Sequence, residues 1–151
     1  MSLVRTLAVG VALMVVATIG ADDKPGKLDP AKLVGEYTLT EGMKAGEKVG
    51  EKSLEGKVTV TKDKIKIEGG SSGMTFEFAY KVKADADPAE IDLEITMPAE
   101  FKAKSKGIIS LTDGTIKLCY HPEEGKDRPK KFESTKENGY FLWTLKKKSD
   151  K

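Results

Sequence analysis

The stretch EIDLEITM, residues 90–97, decides the fold class of this chain. Apolar and polar side chains alternate along it, and the apolar positions are Ile91, Leu93, Ile95 and Met97. Successive side chains of a β-strand point to opposite faces of the sheet, so this pattern predicts a strand with one buried and one solvated face. Such alternation is typical of antiparallel sheets, because strands of parallel sheets are usually buried on both faces.

The same period of two recurs on both sides of this stretch. It is found in VTV (58–60), KIKI (64–67), TFEFAYKV (75–82), TIKLCY (115–120) and YFLWTL (140–145). About eight short strands at this spacing, with no long helical pattern between them, predict a barrel or a sandwich.

Turn-forming residues separate the predicted strands. The breaks are TKDK (61–64), GGSSG (69–73), ADADP (84–88) and TDGT (112–115). Asp113-Gly114 is a strong hairpin signal, because both central residues of a type I′ turn need positive φ.

Two short segments have helical features. Asp29 and Pro30 suit the N-cap and the first position of a helical turn that leads into strand one at Val34. Residues 47–56 predict a second short turn of helix, which Gly50 weakens.

The N-terminal residues have the composition of a signal peptide. Arg5 precedes the apolar run 7–19, which is shorter than the roughly 20 residues of a membrane helix, and small residues follow. We expect a signal peptide (1–21), a linker with a short helical turn (22–32), one barrel domain (33–147) and a polar tail (148–151). This organisation predicts a periplasmic or secreted protein with no membrane span in the mature chain; the alternative is an uncleaved N-terminal anchor.

Taken in order, these segments resemble the small lipocalin-like domains of uncharacterised function that are abundant in planctomycete bacteria, usually behind a signal peptide. The resemblance extends over residues 33–147, and its most specific part follows the Asp113-Gly114 hairpin. That part comprises Leu118, Cys119, Tyr120, Pro122, Gly125, Arg128, Pro129 and Phe132. The chain departs from the family where Tyr37 replaces a tryptophan two residues after Gly35, and where Ile109 replaces an aromatic residue. The resemblance implies a lipocalin-like barrel and no particular activity.

Closure into a barrel would hide both the apolar face and the strand edges, and an eight-stranded barrel has room for packed side chains or one small ligand. The alternation predicts this inward set: Tyr37, Leu39, Val58, Val60, Ile65, Ile67, Phe76, Phe78, Tyr80, Val82, Ile91, Leu93, Ile95, Met97, Ile109, Leu111, Ile116, Leu118, Tyr120, Phe141, Trp143 and Leu145. It contains no lysine, aspartate or glutamate, so any ligand in the barrel should be small and apolar.

Six residues are the candidate ligand-binding residues of the barrel interior or its mouth: Tyr37, Phe78, Tyr80, Tyr120, Arg128 and Trp143. The hydroxyls of the three tyrosines are possible polar contacts. Many of the inward side chains are large, so a filled barrel is the alternative to a hollow one.

The segment LCYHPEEGKDRP, residues 118–129, holds the only cysteine of the chain, Cys119, and the only histidine, His121. A nucleophilic thiol needs a base within hydrogen-bonding reach. Positions i and i+2 of a strand share a face, but their Cβ atoms lie roughly 6–7 Å apart, and Pro122 bends the chain after His121. The pattern therefore favours a packing cysteine and a loop histidine over a catalytic pair, in a strand that continues into a loop at the barrel end.

Arg128 is one of only two arginines in the chain. An arginine can form bidentate and stacking contacts that lysine cannot. We expect a structural role at one end of the barrel, with the guanidinium stacked on Trp143 or Tyr37 and bonded to loop carbonyls. A ligand-facing role is the alternative.

Other chemistry is disfavoured by composition and spacing. The 26 basic and 24 acidic residues are balanced, and the basic ones are mostly scattered lysines, which argues against nucleic acid. Two nitrogen or sulfur donors are too few for structural zinc, and residues 85–90 lack the pattern of a calcium loop. We assign no cofactor, no metal and no catalytic residue.

The sequence thus predicts an exported, non-catalytic binding or structural module, in which any barrel ligand is small and apolar. The alternatives are a protein-protein interaction module of the cell envelope with a filled barrel, and an enzyme that uses Cys119 and His121.

Overall fold

The computed structural model describes residues 28–149. The strands are β1 (Gly35–Lys44), β2 (Glu47–Lys48), β3 (Lys57–Val60), β4 (Lys64–Glu68), β5 (Thr75–Lys83), β6 (Ala89–Met97), β7 (Lys104–Thr112), β8 (Thr115–Tyr120) and β9 (Phe141–Lys147). The helices are α1 (Glu51–Leu54) and two 3₁₀ turns (Pro30–Leu33 and Ala99–Phe101). The predicted signal peptide, the linker up to residue 27 and the last two residues of the tail lie outside the described residues.

Every strand pairs antiparallel with its neighbours, and β1 also pairs with β9. This pairing closes eight strands into a barrel, and β2 is a two-residue extension on β1. The predicted all-β, antiparallel, lipocalin-like barrel of about eight strands is therefore confirmed. Closure leaves the eight barrel strands with paired edges, which removes the exposed hydrogen-bonding groups of an open sheet.

The alternating stretch of β6 occupies the wall as predicted over most of its length. Ile91 and Leu93 belong to the buried core, and Ile95 lines the interior cavity described below. The prediction was wrong for Met97, which is 46% exposed. The pairing of β5 with β6 shifts register between Glu77 and Phe78, so Met97 lies beyond the shift at the strand end and has no interior to enter.

The predicted turns and helical segments form with the expected local chemistry. Asp113 and Gly114 have φ values of 50° and 73°, as a type I′ hairpin turn requires. Asp29 caps the first 3₁₀ turn by accepting a hydrogen bond from the Ala31 amide at 3.0 Å. The predicted second helical segment is α1.

The first 3₁₀ turn closes one end of the barrel. Leu33 is 1% exposed and belongs to the core, and the Tyr37 hydroxyl donates a hydrogen bond to its carbonyl at 2.8 Å. Because β1 runs away from this closed end, its last residue, Lys44, lies at the opposite end, which we call the mouth. Residue 53 of α1 and residues 69–72 also contribute to the mouth. No helix within residues 28–149 is long and apolar enough to cross a membrane.

Candidate ligand-binding cavity

The barrel is hollow and encloses a cavity of about 300 Å³. Leu33 lies at its closed end, and Pro122 and Phe141 lie near its mouth. The wall between them is almost entirely apolar and is formed by Leu39, Val60, Ile65, Ile67, Phe76, Phe78, Tyr80, Leu93, Ile95, Ser105, Ile109, Ile116, Leu118, Trp143 and Leu145. Ligand pockets typically start at about 300 Å³ and are mainly apolar with a few placed polar groups, so this cavity has the size and lining of a small-ligand site.

Four of the six candidate residues line this cavity: Phe78, Tyr80, Tyr120 and Trp143. Tyr37 does not line it, because its side chain is fully buried where the 3₁₀ turn packs against the barrel. Arg128 does not line it either and lies on the outer wall.

The tyrosine hydroxyls are not equally available to a ligand. Tyr80 donates its hydroxyl proton to the Thr61 carbonyl at 2.6 Å, as Tyr37 does to Leu33, so each hydroxyl can only accept a further bond. Burial raises the pKa of Tyr120 to about 12, and an interaction with the Trp143 side chain partly opposes that rise. Within residues 28–149 the Tyr120 hydroxyl donates no hydrogen bond, whereas those of Tyr37 and Tyr80 do, so Tyr120 is the best placed tyrosine donor of the cavity.

A bulge in β1 changes which side chains enter the barrel. Leu39 is opposite Leu145 on β9, but the next aligned pair is Glu41 with Thr144, so β1 has one extra residue at this point. Side chains at odd positions face inward before the bulge, and those at even positions do so after it. Lys44 consequently lines the mouth, opposite Phe141. Lys44 is exposed at the mouth, and the predicted inward set did not include it.

Gly42 makes the bulged segment compatible with the only tryptophan of the chain. A Cβ atom on Gly42 would lie 2.5 Å from the ring of Trp143, its partner on β9. The absence of a side chain thus lets the indole lie against the β1 backbone inside the barrel. A glycine within a strand pattern often indicates a bulge or a close approach, and Gly42 was the one sequence signal that pointed to this feature.

Two serines add polar groups to the mouth. The Ser53 hydroxyl of α1 donates to the Ser71 hydroxyl at 3.0 Å, which joins the helix to the loop between β4 and β5. Ser71 is left with its own proton to donate. The mouth therefore carries one cation and hydroxyl groups, whereas the deeper wall is mainly apolar and carries no charged side chain.

Cys119 and His121 do not form a hydrogen-bonded pair in the described part of the chain. Cys119 is fully buried on the outer side of the wall, and its Sγ donates to the Glu133 carbonyl at 3.6 Å. Burial raises the pKa of this thiol to about 11, which is opposite to the shift that activates a nucleophile. The Nδ1 atom of His121 accepts from the Glu123 amide at 3.1 Å, and its ring packs edge-on against Tyr140.

Arg128 fastens the long loop of residues 121–140 to the outside of the barrel. Its Nη1 atom donates to the carbonyls of Ile91 and Gly107, at 3.0 and 2.7 Å, and its Nη2 atom contacts Asp92 at 2.7 Å. The structure therefore differs from the expected stacking at a barrel end, because the guanidinium bridges β6 and β7 on the side wall. The loop also covers Cys119, which explains why an outward-facing thiol is buried.

The described residues contain no candidate metal site. No group of three or more histidine, cysteine, aspartate or glutamate side chains within residues 28–149 is arranged to hold a metal ion.

Comparison of the chain with protein-family models, curated proteins and solved structures gave no match.

Proposed function

We propose that this protein is an exported, non-catalytic carrier that holds a small, mainly apolar ligand inside its barrel. The observation that carries the proposal is the cavity of about 300 Å³, lined by apolar side chains, closed at Leu33 and open at the opposite end. Export is supported by the apolar run 7–19 behind Arg5.

The shape and chemistry of the cavity favour binding over catalysis. Its wall supplies the apolar surface that removes a ligand from water, at about 25 cal/mol per Å² of apolar area buried. Its depth holds hydroxyls but no carboxylate, histidine or thiol to transfer protons or attack a substrate. The buried Cys119 on the outer wall has no route to a ligand in the barrel.

Native mass spectrometry of the purified protein tests the proposal directly. We expect a retained small molecule, or saturable binding of the apolar fluorophore N-phenylnaphthylamine after delipidation. Replacing Ile95 on the cavity wall with Trp should abolish both, because the indole fills space that the ligand needs. Glu94→Trp is the matched control, since Glu94 is the exposed neighbour on the other face of β6.

Thermal unfolding followed by circular dichroism would verify that both variants fold. A folded wild-type protein that retains no molecule and binds no apolar probe would overturn the proposal. Equal binding by the Ile95→Trp and Glu94→Trp variants would place the probe outside the barrel and would count equally against it.

Exposed apolar side chains support a second candidate, a protein-interaction module of the cell envelope. Met97 and Phe101 are 46% and 52% exposed, and Met74 is also exposed. Met97 is the last residue of β6, Phe101 lies in the 3₁₀ turn between β6 and β7, and Met74 directly precedes β5. If interaction is the function, Met97→Ser with Phe101→Ser should abolish capture of an envelope protein without changing probe binding in the barrel.

A further inference from the structure

We infer that Lys44 receives the negatively charged head group of the ligand, so that the cavity takes an amphiphile with an apolar chain and a single anionic group. This inference rests on the proposed carrier function and specifies its ligand. It comes from the one charged side chain that the described structure turns toward the cavity, Lys44.

The bulge in β1 is what places this lysine at the cavity. With an unbroken alternation from Tyr37 and Leu39, the inward positions near the mouth would be 41 and 43, and Lys44 would face the solvent. The extra residue between Leu39 and Glu41 reverses the order and brings Lys44 opposite Phe141 on the inner face. Bulges commonly re-aim a side chain next to a functional site, and here the re-aimed side chain is a cation.

The ammonium group of Lys44 is positioned by aromatic rings and has no carboxylate partner. Its Nζ atom lies 5.4 Å from the ring centroid of Phe141 and 5.6 Å from that of Trp143. None of the ion pairs found among residues 28–149 includes Lys44. Glu47 is its backbone partner on β2, but the Glu47 carboxylate oxygens are not within the 4.0 Å of the Lys44 Nζ atom that an ion pair requires. The rings attract the cation but do not neutralise it, so a full negative charge can still bind there.

The gradient of polarity along the cavity fixes the orientation of the ligand. An anion in the depth would lose its hydration and meet only hydroxyls such as that of Ser105, with no cation to offset the loss, which is costly. At the mouth the same group meets Lys44 and lies on the side of the cavity that carries Ser71, whose proton is free to be donated. The apolar chain should therefore point toward Leu33 and the head group should stay at the mouth.

A matched pair of probes tests the inference: decanoate and decanol have the same chain and differ in head-group charge. Trp143 is the only tryptophan and lies in the cavity wall, so its fluorescence reports binding of both. At neutral pH we expect the wild-type chain to bind decanoate about tenfold more tightly than decanol, which corresponds to about 1.4 kcal/mol.

Two lysine variants separate a cavity effect from a general charge effect. Lys44→Met should weaken decanoate binding about tenfold and leave decanol binding unchanged, and Lys44→Arg should keep the preference. Lys48→Met is the control: it removes the same charge near the mouth, but Lys48 pairs with Met43 and shares its outer face. It should retain the preference for decanoate.

The outcomes distinguish this inference from the proposed function. If wild type binds neither probe, the carrier function itself fails. If wild type binds both probes equally, or if Lys44→Met keeps the preference for decanoate, the barrel is a carrier but Lys44 is not its anion site. If Lys48→Met also lost the preference for decanoate over decanol, the preference would come from the overall charge near the mouth, and the inference would be overturned.

Discussion

Replacement of Arg128 with Met should destabilise the barrel through the loss of bonds that fasten the loop of residues 121–140 to its wall. The guanidinium bonds two main-chain carbonyls, those of Ile91 and Gly107, which are Cα partners on adjacent strands. Methionine fills part of the same volume but offers no donor. The loop would then lose its link to β6 and β7, and two carbonyls would lose a charged partner.

The expected magnitude follows from the exposure of each partner. Bonds from a charged donor contribute about 1.5–3 kcal/mol each, with the lower end suited to a side chain that is 21% exposed. The contact with Asp92, which is 64% exposed, adds at most about 1 kcal/mol. We expect Arg128→Met to lower the free energy of unfolding by about 3 kcal/mol, and Arg128→Lys by about 1–2 kcal/mol because an ammonium can still reach one carbonyl.

Urea unfolding monitored by circular dichroism and by Trp143 fluorescence measures these changes. A loss of about 3 kcal/mol should also lower the melting temperature by about 10 °C in a domain of this size. Arg128 has two ion pairs, with Asp92 and, at 3.7 Å, with Glu90. Asp92→Asn serves as the control, since it removes only the more exposed of the two and should cost less than about 1 kcal/mol. An unfolding free energy of Arg128→Met within 0.5 kcal/mol of wild type, a margin of about the usual surface-mutation effect, would refute the role assigned to the guanidinium.

Three further predictions concern the wall. Burial raises the pKa of Cys119 to about 11 from an ordinary 9.0, so between these two pH values only the unfolded thiol ionises. The free energy of unfolding should therefore fall as the pH rises from 9.0 to about 11, and Cys119→Ala should reduce that fall. A thiol reagent should modify Cys119 only on unfolding. Gly107→Ala should cost about 1–3 kcal/mol in urea unfolding, because its Cβ would lie 2.6 Å from a main-chain oxygen, whereas Gly50→Ala, with open space around it, should be nearly neutral. The hydrogen bond from Lys64 lowers the pKa of Glu77 below its ordinary value of 4.5. The stability that the ionised Glu77 contributes is therefore present above pH 4.5 and is lost as the pH falls through the lowered pKa. Glu77→Gln should reduce the fall in melting temperature on the acid side of a pH profile.

The fold class and much of the cavity wall could be predicted from alternation alone. The burial of Ile91 and Leu93 could be predicted without knowing their partner strands, because the strand places both on one face and their apolar side chains favour the inner face. The same alternation correctly predicted that four further side chains line the cavity: Phe78, Tyr80, Tyr120 and Trp143.

Three residues lie where the alternation and the composition alone did not place them, each for a different reason. Met97 follows the alternation of β6, but a register shift against β5 leaves it exposed at the strand end. Tyr37 faces inward as predicted, yet the first 3₁₀ turn covers it and separates it from the cavity. Arg128 lies on the side wall, because the loop that carries it folds back over β6 and β7 and does not cover a barrel end.

Local chemistry determined the strands, the Asp113-Gly114 turn and the burial of one face, because side-chain direction in a strand and positive φ in a turn are properties of neighbouring residues. The tertiary structure alone decided that the barrel is hollow and that Lys44 lies at its mouth. The cavity depends on how side chains from all the strands pack once β1 pairs with β9, whose aligned residues are about a hundred positions apart. The position of Lys44 follows from the bulge in this pair, which reverses the inward face. The register of such a pair is set by packing and hydrogen bonding across the whole barrel, which no single stretch of sequence contains.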